Sequence, residues 1–83
     1  MAMTQSDNQA LEVLRWMAAI VPPMAADTVK QTLRVWPMLN IGDKVRHYGQ
    51  VRQLCEQTCP KLLDKPMIYG AEMALEAQSR LFL

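Results

Sequence analysis

Apolar residues recur in the first part of the chain at the spacing of one helical face. Ala10, Val13, Leu14, Met17, Ala18 and Val21 fall three or four residues apart, which is the repeat of an α-helix. Ser6 with Gln9 has the form of a capping box, and Asp7 sits where the helix dipole favours an acid. A helix is therefore expected to start at Ser6. Leu11, Trp16 and Ile20 widen its stripe, so it should meet neighbours on two sides. Pro22 and Pro23 end it, because neither can donate a main-chain hydrogen bond, and Pro23 can open the next helix, where its missing N–H costs nothing.

That second helix is expected over residues 23–36, with Val29, Leu33 and Trp36 as its apolar face. Val29, Leu33 and Val35 also alternate with Lys30, Thr32 and Arg34, which is a strand pattern. Helix is favoured because a lone strand needs a partner strand, and the chain offers none. Pro37 punctuates again, residues 38–42 read as a connection, and Asp43 is a suitable cap for a third helix that runs to Cys59. Val45, Tyr48, Val51, Cys55 and Cys59 line one face of it. Gly49 in its middle marks either a close packing contact or a break into two short helices. Residues 61–65 read as a turn or loop, and Asp64 with Pro66 starts a last helix ending on Leu81, Phe82 and Leu83, which extend the apolar stripe of Ala74 and Leu75. The pattern as a whole predicts an all-α fold: a compact bundle of about four short helices bounded by prolines, with room for completion across a homodimer.

Composition narrows this picture. A chain of 83 residues holds one core, read as a flexible tail over residues 1–5 and one helical domain over residues 6–83. An apolar fraction of 51% is high for so short a chain, which implies that some apolar surface meets a partner. The formal net charge of +1 argues against a strongly electrostatic task such as coating nucleic acid. The first apolar stretch, residues 16–24, is interrupted by two prolines and is too short to export the chain or span a membrane. Cys55 and Cys59 stand one helical turn apart, where a disulfide would distort the helix, so the chain reads as reduced and cytoplasmic.

Candidate chemistry is thin. His47 is the sole histidine and lies at the flank of the apolar stripe, the place of a half-exposed structural histidine. Its separation from Cys55, about 12 Å along a helix, is too great for a base and nucleophile pair. Two cysteines supply only half of a closed zinc site, and buried thiols acting as small hydrophobes are the simpler reading. No phosphate loop, nucleophile elbow or carboxylate pair is present. The expectation is a protein that is not an enzyme and uses no cofactor or metal.

Residues 30–65 carry seven basic and three acidic residues, and Lys44, Arg46 and Arg52 are the candidate nucleic-acid contacts of that segment. On a continuous helix they spread around its circumference without forming a stripe. Five of the seven methionines, Met17, Met24, Met38, Met67 and Met73, occupy or border helices, and methionine suits either an irregular core or an adaptable docking surface. The favoured function is a small helical protein-binding module, an adaptor, chaperone-like factor or inhibitor. Trp16, Ile20, Trp36, Leu81, Phe82 and Leu83 are its expected contacts with a protein partner or a second copy of itself. A nucleic-acid-binding regulator built on residues 44–52 is the alternative.

Overall fold

The computed structural model describes residues 5–62 and 65–81, with the backbone alone at Leu62. It contains α1 (Gln5–Ile20), α2 (Pro23–Val35), α3 (Ile41–Thr58) and α4 (Lys65–Leu81), with short 3-10 turns over Trp36–Met38 and Pro60–Leu62. Among the described residues there is no strand, so the fold is all-α. The alternating residues 28–35 are helical, because burial there follows the helical repeat: Ala25, Ala26, Val29 and Thr32 are buried while Lys30, Gln31 and Arg34 face out.

The boundaries follow from local chemistry and correct several expectations. α1 already includes Gln5, so Ser6 lies inside the helix and is not its cap. Pro23 is the first residue of α2, with Pro22 extended before it at φ −58° and ψ 154°. Pro37 is accommodated in the 3-10 turn that follows α2, which ends at Val35. The cap of α3 is Asn40 rather than Asp43. The Asn40 side-chain oxygen accepts the Asp43 N–H at 2.8 Å, satisfying one of the open donors of the first turn. α3 then runs unbroken through Gly49 to Thr58, and Cys59 closes it by donating its N–H to the Cys55 carbonyl at 2.9 Å, ahead of Pro60. Asp64, the expected start of the last helix, lies outside the described residues.

α1 and α3 each pack on both α2 and α4. The radius of gyration is 12.0 Å, close to the value of about 12 Å for a compact chain of this length. The core holds Ala10, Leu14 and Met17 of α1, Val29 of α2, Trp36, then Tyr48, Val51 and Cys55 of α3, and Ile68, Ala71 and Leu75 of α4. Each large aliphatic side chain there contributes about 1.5–3 kcal/mol by leaving water. The inward face of α2 is rotated from the expected one: Ala25, Ala26, Val29 and Thr32 are buried and Leu33 is only half-buried. Small residues on that face let α2 approach its neighbours closely.

Polar ties link the helices. Lys44, near the start of α3, pairs with Asp7, near the start of α1, at 3.0 Å, which brings the first turns of these two helices together. Arg52 of α3 pairs with Glu72 of α4 at 2.8 Å, while Glu56, farther along α3, accepts the Tyr69 hydroxyl from earlier in α4. α3 and α4 are therefore antiparallel.

Candidate functional site

Of the residues expected at a partner surface, the described ones differ widely in exposure. Trp36 is fully buried. Its indole N–H has no hydrogen-bond partner, and the Lys44 ammonium lies 5.6 Å from its ring centroid. It is a core residue, because the 3-10 turn after α2 swings it inward. Trp16 and Ile20 are half-buried against the core on the second half of α1. Leu81, in the last turn of α4, is 83% exposed. A Cβ at Gly70 would lie 3.9 Å from the Gln9 side chain, so the first half of α4 lies beside the start of α1, the half of that helix away from Trp16 and Ile20. Phe82 and Leu83 lie outside the described residues.

The three candidate cations, Lys44, Arg46 and Arg52, are engaged by carboxylates. Lys44, with 13% of its side chain exposed, holds Asp7. Arg46 pairs with Asp43 at 2.7 Å on the exposed side of α3. Arg52 pairs with Glu56 at 3.3 Å and Glu72 at 2.8 Å, with its guanidinium 5.3 Å from the Tyr69 ring centroid. The Tyr69 hydroxyl, and after it Arg52, hold Glu56 below the ordinary carboxylate range. Lys44 thus turns toward α1, Arg52 toward α4 and Arg46 outward, so no cationic stripe forms.

His47 is half-buried on α3. Cys55 and Cys59 are buried free thiols. Burial, and then the neighbouring Cys59, push the Cys55 thiol up to about 11, far from the low value of a reactive nucleophile. Among the described residues no three histidine, cysteine or carboxylate side chains gather as a metal site.

The outward faces of the helices differ from one another. α1 presents Asn8, Gln9, Glu12 and Arg15, with Ala19 near its end; α2 presents Asp27, Lys30, Gln31 and Arg34, with Met24 in its first turn; α3 presents Arg46, Gln50, Gln53 and Gln57. α4 presents Tyr69, Met73, Ala77 and Leu81 between Pro66 and Arg80. These four residues recur every fourth position, so they form one slowly winding strip, with Met73 68% and Leu81 83% exposed. Glu72 and Glu76 border the strip on one side, and Gly70 and Ala74 on the other. Leu81 therefore does not extend the stripe of Leu75, which faces the core with Ile68 and Ala71. α4 is apolar on two faces. The sequence carries this signal as two interleaved apolar repeats, 68–71–75 and 69–73–77–81, which merge into one when read as a single stripe.

Met24 and Met38 are also exposed, at 81% and 76%, but they stand singly at the two ends of α2, beside Pro23 and Pro37. Among the described residues no helix is long and apolar enough to cross a membrane. Comparison with family models, curated proteins and solved structures found no match.

Proposed function

We propose that this chain is a small cytoplasmic protein-binding module, an adaptor, chaperone-like factor or inhibitor, that docks through the outward strip of α4. The observation that carries the reading is the contrast between that strip and the polar outer faces of α1, α2 and α3. Outward positions of a small bundle are where polar residues keep a chain dispersed, and an apolar strip rimmed by charge is the usual form of a docking surface. Met73 at its centre is unbranched and can fit an irregular partner. The two free thiols suit a reducing compartment. Binding of nucleic acid through Lys44, Arg46 and Arg52 lacks comparable support, since each of these cations already faces a carboxylate.

The test is photocrosslinking in the cells that make the protein. A photoreactive residue in place of Met73 is expected to give an adduct of defined mass, while the same residue in place of Gln53, on the polar outer face of α3, gives none. No adduct at position 73, or equal adducts at both positions, would refute the assignment.

A further inference from the structure

Resting on that reading, we infer that the occupant of the α4 strip is a second copy of this chain, with the two α4 helices antiparallel and crossing at Ala77. The strip carries its own complement. Met73 and Leu81 stand four residues to either side of Ala77, so antiparallel pairing at Ala77 sets Met73 of each copy against Leu81 of the other. Both are about 6 Å from the crossing point along the axis. The alanine at the centre lets the helices approach closely, and the large side chains to either side fill the gap.

The charges agree with the same register. Arg80 is exposed, and neither it nor Glu76 has an ion partner among the described residues. A two-fold axis between antiparallel helices brings the Glu72 and Glu76 edge of one copy beside the same edge of the other. Arg80 lies about 4.5 Å past the crossing, and the second copy's Glu76 and Glu72 lie about 1.5 and 7.5 Å to that side, so each Arg80 falls between two carboxylates. Parallel two-fold pairing would instead set this edge against the Gly70 and Ala74 edge of the other copy, leaving no carboxylate opposite Arg80. A strip from one helix buries less than the roughly 1,200 Å² of a standard interface, so the dimer is weak and concentration-dependent.

Analytical ultracentrifugation of the purified full chain across a concentration series tests this. Reversible dimerisation is expected. Met73→Asp and Arg80→Glu should each weaken it about tenfold or more, and the double variant Glu76→Arg with Arg80→Glu should recover most of the loss by restoring opposite charges in the same register. Gln53→Asp on α3 should leave it unchanged. All the substituted positions except Glu76 are exposed, and circular dichroism of each variant confirms that the helices persist.

A chain that stays monomeric at every concentration, or a dimer indifferent to Met73→Asp and Arg80→Glu, would overturn the inference. A dimer weakened by Met73→Asp and by Arg80→Glu, with the Arg80→Glu loss not recovered in the double variant, would overturn the antiparallel register. Monomers in solution together with an adduct to a different protein at position 73 would reject the second copy and leave the docking strip standing. Monomers without any adduct there would remove both.

Discussion

The phenol of Tyr48 donates a 2.9 Å hydrogen bond to the main-chain carbonyl of Ile68, tying the middle of α3 to the first turns of α4 inside the core. Tyr48 is fully buried, so this bond is made away from water. Tyr48→Phe keeps the ring and removes the donor, while the Ile68 carbonyl can still accept its helical bond. The expected loss is about 0.5–1.5 kcal/mol, near the net worth of one buried hydrogen bond. Urea unfolding should show a lower midpoint with an unchanged slope.

Alkali should destabilise the fold earlier than lysine titration would. Burial, followed by the Cys59 thiol, raises Cys55 from its ordinary 9.0 to about 11. Burial, followed by Glu72, also raises Tyr48 above its ordinary 10.0. A group whose proton is held more tightly in the folded state stabilises fully below its unfolded pKa, and that contribution fades as pH rises toward the folded value. Stability should therefore hold to about pH 9 and then fall, first through Cys55 and then through Tyr48. Melting temperatures across this range measure the slope, which should shrink between pH 9.0 and about 11 when Cys55 is replaced by alanine. An unchanged slope in that variant would contradict the assignment to Cys55.

Gly49 gives a prediction of opposite sign. It sits in the interior of α3, and a Cβ there would meet only the end of the Glu72 side chain, at 3.4 Å. Gly49→Ala should stabilise the protein by about 0.5–1 kcal/mol, the gain in helix propensity. Gly49→Leu should destabilise it, because the larger side chain would displace the carboxylate that holds Arg52. Thermal melts of both variants check this, and a destabilising alanine would show that Glu72 cannot yield.

The same glycine marks where the sequence stops being informative. An interior glycine signals a break or a contact equally well, and what decides between them, Glu72, lies on another helix. The helices themselves were legible, because Pro22, Pro23, Pro37, Pro60 and Pro66 punctuate apolar repeats that single residues cannot disguise. The inward face of α2 was less so. Ala25, Ala26 and Thr32 carry little apolar signal, and their burial follows from how closely α1 and α3 approach. Asn40 and Asp43 are both good cap residues three positions apart, and only the backbone shows which one caps. The outward strip of α4 is half legible: Leu81 reads as apolar surface, but its place after Leu75 in the sequence masks the outward repeat through Met73.

Lys44 is a structural cation. Its pairing with Asp7, with side chains 13% and 8% exposed, and its place over Trp36 predict that Lys44→Ala removes a charged partner from a mostly buried carboxylate. The cost should be about 1–3 kcal/mol, the range for losing one partner of a buried polar group. It should change little with added salt, because screening acts weakly on buried pairs. A loss under about 0.5 kcal/mol by urea unfolding would place Lys44 among ordinary surface cations.

The docking role of α4 is tested most directly by the methyl resonances of the methionines in an NMR spectrum of the labelled protein, compared between dilute buffer and a lysate of the cells that make it. Met24, Met38 and Met73 are all exposed, at 81%, 76% and 68%, so exposure alone cannot distinguish them. If the α4 strip is the docking surface, the Met73 methyl shifts or broadens in the lysate, or in buffer as the chain itself is concentrated, while those of Met24 and Met38 stay in place. A Met73 methyl as inert as the other two, or all three responding alike, would contradict it.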